Sequence, residues 1–213
     1  MITQLLFDLD NTLYSARYGL EEKVNLRVMA FIARYLHLPP EEAARERAER
    51  VKFYGTTLEW LMAEKNLSDP DIYLNAIHPE NEADRLGEDP ELRPFLEGLR
   101  LPMAILTNSP MEHAERILSK LKIGDLFTHI FDIRSNKFKG KPDPEVFRRA
   151  LNILGSPPET TLFVDDYPKY IQGFLALGGK GVLLDEFAMF KDFGGPKISR
   201  LRDITAFLRT AAE

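Results

Sequence analysis

The sequence predicts an α/β protein built on a mostly parallel sheet, with an all-helical segment inserted after the first strand. Short apolar runs of strand length alternate with longer helical patterns, which is typical of βαβ units with parallel strands. Three of these runs end directly in polar residues, at Asp8, Thr107 and Asp165. Between residues 15 and 88 the sequence contains no convincing strand.

The first strand ends in two aspartates. Leu5-Leu6-Phe7 runs into Asp8 and Asp10, and alternation along a strand points both carboxylates the same way. Two carboxylates in an interior repel each other and are costly to desolvate, and Mg2+ relieves both effects while leaving positions for water and phosphate. A carboxylate can also attack phosphorus. This stretch can therefore supply a metal ligand, a nucleophile and a proton donor.

The next segment is predicted to be helical throughout. Residues 17–37 carry apolar side chains at three- and four-residue spacing, and Pro39-Pro40 separates this helix from the next. Residues 41–52 are dense in charge, which we interpret as a solvated helix face. Two further helices are predicted around Trp60 and after Asp69-Pro70.

The α/β pattern returns after Asp89-Pro90. Strands are predicted at residues 103–106, 129–133, 161–164 and 181–184, with helices between them and a last helix at 203–211. Ser109-Pro110-Met111-Glu112 has the form of a capping box, and Asp143-Pro144 is predicted to cap a later helix. We therefore assign residues 1–14 and 89–213 to an α/β core, in which a catalytic site would lie, and 15–88 to a helical domain.

The polar ends of the strands are expected to form one site. Ligands bind beyond the carboxyl ends of parallel strands, so Asp8/Asp10, Thr107-Asn108 and Asp165-Asp166 belong at the same edge. Lys141 lies on a nearby loop. Four carboxylates require a cation, while a helix N-terminus and an ammonium group require an anion. The combination predicts a phosphate-binding pocket.

Composition excludes several classes of function. The formal net charge is −5 and the pI about 5.5, which argues against a nucleic acid polymer as partner. The absence of cysteine excludes thiolate catalysis and disulfides. No apolar stretch approaches the length of a membrane span, and the residues before the first strand lead us to expect no signal segment. We expect a cytoplasmic protein without a membrane partner, either a monomer or a homodimer.

Four short stretches, in order, resemble the motifs of the haloacid dehalogenase-like hydrolase superfamily. They are Phe7-Asp8-Leu9-Asp10-Asn11-Thr12-Leu13, Leu106-Thr107-Asn108, Lys141-Pro142 and Val164-Asp165-Asp166. The resemblance covers essentially the whole chain. It implies a Rossmann-like, three-layer parallel sheet core, and it places residues 15–88 at the position of a helical cap.

The resemblance also implies the role of each motif residue. Asp8 would attack phosphorus and carry an aspartyl-phosphate, and Asp10 would protonate the leaving oxygen and then activate water. Thr107 and Asn108, with neighbouring amides, would bind the substrate phosphoryl group. Lys141 would neutralise charge on the nucleophile and the phosphate. A dehalogenase does not need the acid/base Asp10, so its presence favours phosphoryl chemistry.

The implied cofactor is Mg2+. Asp8 and the backbone carbonyl of Asp10 would bind it together with Asp165 and Asp166, the motif-four aspartates. Of these two, we expect Asp166 to coordinate directly and Asp165 to act through water.

Within the superfamily, residues 8–14, Gly19-Leu20 and 54–58 are similar to the pyrimidine 5′-nucleotidase-like group. Tyr170 and Gly173 depart from that group, which commonly has Asn and Ala there. We expect a phosphatase acting on a small phosphorylated metabolite, with a pyrimidine nucleoside 5′-monophosphate as the first candidate. The alternatives are a sugar-phosphate or phosphoglycolate phosphatase, a phosphomutase, and a non-catalytic phosphate-binding regulator.

Other polar residues carry less information. Arg17, Tyr54 and Thr56 are candidates for substrate contacts from the cap. Ser109 is interpreted as a helix cap. No role is assigned to the four histidines, which are scattered singly at His37, His78, His113 and His129.

Overall fold

A six-stranded, wholly parallel sheet forms the centre of the protein, in the order β3-β2-β1-β4-β5-β6. The structure is a computed structural model that describes residues 1–210, so the predicted end of the last helix at Ala211 lies outside the described residues. The strands are β1 (Gln4–Phe7), β2 (Met103–Leu106), β3 (His129–Phe131), β4 (Thr161–Asp165), β5 (Lys180–Leu184) and β6 (Lys197–Ile198). Strand β6 was not predicted, because two residues are too short to show a period.

The central position of β1 brings the three polar strand ends together. Leu6 pairs with Ala104 of β2 on one side and with Phe163 of β4 on the other. Asp8 therefore emerges between the ends of β2 and β4. The predicted convergence of the strand ends at one edge is confirmed.

Helices cover both faces of the sheet, because alternate strand residues are apolar on both sides. Leu5 and Phe7 belong to an apolar cluster that includes Leu96 and Ile117, and Leu6 belongs to a second cluster with Phe147. The three-layer α/β fold is thus confirmed. One layer contains α5 (Leu92–Gly98), α6 (Met111–Leu121) and α9 (Ile204–Thr210). The other layer contains α7 (Pro144–Leu154) and α8 (Pro168–Leu175).

The segment between β1 and β2 is helical, as predicted, with no strand in residues 15–88. Its helices are α1 (Leu20–Leu36), α2 (Pro40–Arg50), α3 (Thr57–Glu64) and α4 (Pro70–Ile77). They pack around their own apolar cluster, which contains the fully buried Trp60. Leu20 and Leu86, however, pack with the sheet. The boundaries at residues 15 and 88 remain a prediction.

Two of the predicted helix starts are as expected and one is wrong. The side chains of Asp69 and Asp143 accept hydrogen bonds from backbone amides in the first turns of α4 and α7. The capping box at Ser109 does not form. Instead, Asp132 accepts a hydrogen bond from the Met111 amide at the start of α6, which frees Ser109 for another contact.

No helix within residues 1–210 has the length and apolar character needed to cross a bilayer.

The packing of α7 and α8 against the sheet should contribute strongly to stability. Phe147 is fully buried, with ring centroids 5.4 Å from Phe163 and 5.3 Å from Phe174. Phe147→Ala is expected to lower the free energy of unfolding by about 3–5 kcal/mol, because truncation leaves a cavity in a packed core. Urea unfolding followed by far-UV circular dichroism measures this change. Ile153→Ala, on the exposed side of the same helix, is the matched control. Equal stability of the two variants would contradict the assignment.

Candidate active site

A cavity of about 1120 Å³ lies between the carboxyl ends of the strands and the helical segment. Its core side is lined by the predicted motif residues, and its far side by residues of α1, α2 and the loop before α3. The motif residues that line it are Asp8, Asp10, Thr107, Asn108, Lys141 and Asp166.

The floor of the site is a buried ion-paired cluster. The Lys141 ammonium group lies 2.6 Å from Asp8 Oδ1 and 2.7 Å from Asp165 Oδ2. All three residues are buried, and Lys141 is only 1% exposed. A buried ammonium group requires such partners, since desolvation of an unpaired charge is costly. Lys141 is therefore fixed against Asp8, as its predicted role requires.

The carboxylates outnumber the available positive charge. Burial raises the pKa of Asp8 well above its usual value, more than Lys141 lowers it, and the charges of Asp165 and Asp166 add to the increase. Burial and the charge of Asp165 raise the pKa of Asp166 to about 8. Carboxylate oxygens of Asp8, Asp165 and Asp166 lie within 4.8 Å of one another. An all-oxygen set with excess negative charge fits a hard divalent cation such as Mg2+.

The two motif-four aspartates differ in their remaining capacity to bind a metal. Asp165 Oδ2 accepts from Lys141, and its Oδ1 accepts a 2.8 Å hydrogen bond from the Tyr167 amide. Asp166 is half-buried and lines the cavity. The carboxylate of Asp166 is therefore the more available of the two.

Asn108 and Tyr170 hold Lys141 in position. Asn108 Oδ1 accepts a 2.8 Å hydrogen bond from the Lys141 amide, and Asn108 Nδ2 lies 3.2 Å from the Tyr170 hydroxyl. The Lys141 ammonium group lies 5.0 Å from the centre of the Tyr170 ring. Tyr170, a departure from the nucleotidase-like group, thus has a defined contact here. The Asn108 side chain is engaged with the protein and not directed freely at a substrate.

The neighbouring lysines do not compete with Lys141. Lys139 is exposed and pairs with Asp143, and Lys137 is also exposed.

The carboxylate of Asp10 is held by three donors from distant parts of the chain. The Tyr14 hydroxyl lies 2.6 Å from Oδ1, His113 Nε2 lies 2.7 Å from the same oxygen, and the Ser109 hydroxyl lies 2.9 Å from Oδ2. Burial alone would raise the pKa of Asp10, but the charge and hydrogen bond of His113, with that of Tyr14, lower it well below its usual value.

His113 is a site residue that the sequence did not reveal. It is 1% exposed, and its Nδ1 lies 2.7 Å from Glu82 Oε1. Burial alone would lower the pKa of His113, but Asp10 and Glu82 raise it to about 10. Nothing in the local sequence distinguishes this histidine from the other three, because its partners lie 31 and 103 positions away, on other segments.

The remaining predicted binding residues fall into two groups. Thr107 is buried at the cavity, where its Oγ1 accepts a hydrogen bond from the Ser109 amide, and Tyr54 and Thr56 line the cavity from the helical segment. The Arg17 side chain is 77% exposed, lies 3.7 Å from Glu186 and is not among the cavity-lining residues. The structure therefore does not bring Arg17 into the site.

The helical segment contacts the motif-three loop, the loop that carries Lys141-Pro142, directly. A Cβ atom on Gly55 would lie 2.6 Å from the carbonyl oxygen of Gly140, and one on Gly140 would lie 2.4 Å from Thr56 Cγ2. Only glycine permits so close an approach of the two backbones. This contact places the loop before α3 over the site.

The family model for haloacid dehalogenase-like hydrolases matches residues 2–178. The chain belongs to this family. The match includes all four motifs, so the family resemblance expected from the motifs is confirmed, whereas the nucleotidase-like subgroup stays a prediction.

Individual relatives are distant. A glyceraldehyde 3-phosphate phosphatase from Methanopyrus kandleri is 30% identical over 178 residues, which cover 78% of this chain and 76% of that protein. Phosphate metabolism protein 8 from Saccharomyces cerevisiae is 28% identical over 186 residues. That match covers 81% of this chain but only 58% of the yeast protein's length. A HAD phosphatase structure from Thermococcus onnurineus has a TM-score of 0.67 at 19% identity, covering 97% and 98% of the two chains, which establishes the shared fold.

Removal of the buried ammonium group of Lys141 should destabilise the folded protein. Lys141→Met leaves Asp8 and Asp165 buried without their cation, so the free energy of unfolding of the metal-free protein is expected to fall by about 3–5 kcal/mol. Urea unfolding in the presence of EDTA measures the change. Lys139→Met removes an exposed lysine two residues away and should leave stability unaltered. Equal effects of the two substitutions would show that the cluster does not depend on Lys141.

Proposed function

We propose that the protein is a phosphatase that hydrolyses a small phosphorylated metabolite through an aspartyl-phosphate on Asp8. One observation carries the proposal. Asp8 lies at the floor of the cavity with Lys141 at 2.6 Å, beside an Asp10 carboxylate held by three donors. A buried nucleophile paired with a cation and accompanied by a positioned acid/base has the composition required for phosphoryl transfer.

The reaction has two steps. An oxygen of Asp8 attacks phosphorus, an O–P bond forms and the bond to the leaving oxygen breaks. Asp10 delivers to that oxygen the proton of its hydrogen bond with His113, whose raised pKa keeps the pair protonated. In the second step Asp10 takes a proton from water, whose oxygen attacks the phosphorus and releases Asp8 and inorganic phosphate. Lys141 offsets the charge that builds up on Asp8 and on the phosphoryl oxygens.

Mg2+ is the proposed cofactor. Asp8, Asp166 and the backbone carbonyl of Asp10 would hold it, and Asp165, whose two oxygens already accept hydrogen bonds, would act through water. When bound, the ion supplies neutralisation of the carboxylate and phosphate charge.

The environment of Asp10 favours phosphate esters over organic halides. A departing alkoxide requires a proton, whereas a departing halide does not. Three hydrogen-bond donors fix the Asp10 carboxylate at the cavity beside Asp8, which is the position that a proton donor to a departing alkoxide needs.

Two substrate classes have support. The names of relatives favour a sugar phosphate or a similar small phosphoester, since one relative is a glyceraldehyde 3-phosphate phosphatase. The position of Tyr54 on the cavity wall supports a pyrimidine nucleoside 5′-monophosphate as the second candidate, because an aromatic ring can stack on a base. We favour the sugar-phosphate class.

Substitution of the nucleophile tests the reaction. Asp8→Asn should abolish phosphate release from a generic phosphomonoester, because an amide is too weak a nucleophile. The wild-type reaction should require Mg2+ and stop with EDTA. Asp192→Asn, an exposed aspartate outside the cavity, is the control. Retained turnover by Asp8→Asn would refute the assignment.

A substrate panel tests specificity. Phosphate release from glyceraldehyde 3-phosphate, sugar phosphates, phosphoglycolate, UMP and CMP should be fastest with the sugar-phosphate group. Preference for UMP and CMP would favour the nucleotidase alternative. Isomerised phosphate esters without phosphate release would indicate a mutase, and inactivity towards every ester would indicate a binding regulator.

Calorimetry tests the metal ligands. Mg2+ should bind the wild-type protein and raise its Tm, since a ligand that binds the folded state stabilises it. Asp166→Asn should weaken Mg2+ binding by at least about tenfold. Asp192→Asn should bind Mg2+ normally. An unchanged Mg2+ affinity in Asp166→Asn would exclude that carboxylate as a ligand.

A further inference from the structure

A buried polar cluster outside the four motifs is centred on Glu82. Its carboxylate lies 2.7 Å from His113 Nδ1, 2.9 Å from His78 Nδ1 and 2.7 Å from an Arg116 nitrogen. Arg27 lies 3.8 Å away. The Glu82 side chain is only 1% exposed. Burying charged groups costs free energy even when they are paired, so a gain in stability does not by itself explain this cluster.

The cluster ends on the acid/base carboxylate. His113 lies with Nδ1 beside Glu82 Oε1 and Nε2 beside Asp10 Oδ1, both at 2.7 Å. The contact of His113 Nδ1 with Glu82 is an ion pair without the alignment of a hydrogen bond, whereas Nε2 is hydrogen-bonded to Asp10 Oδ1. A carboxylate beside the ring stabilises the imidazolium form, in which Nε2 carries a proton to donate. Glu82 therefore maintains His113 as a donor, and His113 determines where Asp10 Oδ1 lies.

The cluster also spans the junction between the helical segment and the sheet. Arg27 lies on α1, His78 directly follows α4, and Arg116 and His113 lie on α6 of the core. Glu82 lies in the connection that leads back from α4 towards the core. Arg27 Nη1 and Arg116 Nη2 also donate to backbone carbonyls, those of Ile77 and His78 respectively. The end of α4 and the orientation of Asp10 thus depend on the same contacts.

The same three side chains, His78, Glu82 and His113, have the composition of a transition-metal site, with ligand atoms within 4.8 Å. Two features favour the positioning role instead. Arg116 and Arg27 already supply positive charge to Glu82, and His113 Nε2 is directed at a reacting carboxylate.

We propose that His113 and Glu82 are positioning residues that hold the Asp10 carboxylate for proton transfer to the leaving oxygen. This inference rests on the proposed phosphatase activity. It assigns a role to two residues that lie outside every motif on which that activity was argued.

Leaving-group dependence separates positioning from a structural role. In an alkyl phosphate such as glycerol 3-phosphate, the departing oxygen needs a proton. p-Nitrophenolate departs from p-nitrophenyl phosphate without one. The ratio kcat/KM reports steps through departure of the leaving group and excludes the later attack of water, in which Asp10 also acts.

His113→Gln should lower kcat/KM for glycerol 3-phosphate by about 10- to 100-fold, and kcat/KM for p-nitrophenyl phosphate by no more than about twofold. Glu82→Gln leaves His113 and Asp10 in place and should produce the same split with a smaller loss. Glu82→Gln also tests the proposal if the His113→Gln variant does not fold. Glu112→Gln makes the same charge change one residue from His113, on an exposed side chain, and should behave as wild type.

Each outcome has a distinct meaning. A loss confined to the alkyl ester supports the proposal. Equal losses with both esters, or no loss in either variant, would overturn it and leave the cluster a purely structural role. A wild-type protein that hydrolyses neither ester, although folded and bound to Mg2+, would overturn the proposed function, and the positioning role with it.

Discussion

The compensation of buried negative charge at the end of β1 is the constraint on which the site depends. Asp8 and Asp165 emerge from adjacent parallel strands and are desolvated together, and the Lys141 ammonium group lies within 2.7 Å of both. One cation does not balance three carboxylates, and burial raises the pKa of Asp8 and Asp166. The site therefore needs further positive charge, which a bound divalent cation would supply.

Other parts of the structure support Lys141. Asn108 binds its backbone amide, the Tyr170 ring lies beside its ammonium group, and Gly140 allows the helical segment to approach the same loop. The position of the loop before α3 therefore depends on the position of the motif-three loop. This explains why the cavity has one wall from the core and one from the insertion, although the two are far apart in sequence.

Asp10 belongs to a second network with different physics. Asp8 depends on burial and ion pairing, whereas Asp10 depends on directed hydrogen bonds from Tyr14, Ser109 and His113. These donors lower its pKa while burial raises that of Asp8, so two carboxylates one residue apart acquire opposite properties. The raised pKa of Asp8 shows that it needs further positive charge before it is ionised for attack, and a bound divalent cation would supply that charge.

The sequence by itself determined the α/β class, most strand and helix positions and the convergence of Asp8, Thr107 and Asp165, because apolar periodicity and the polar ends of strands are local properties. It also singled out Lys141 through its motif. Only the tertiary structure decided the partners of Asp10, the supporting contacts of Tyr170, the exclusion of Arg17 and the role of Asp132 in place of Ser109 at the start of α6. These depend on contacts between residues far apart in the chain, and a side chain such as His113 carries no local signal of the carboxylates it will meet once the chain has folded.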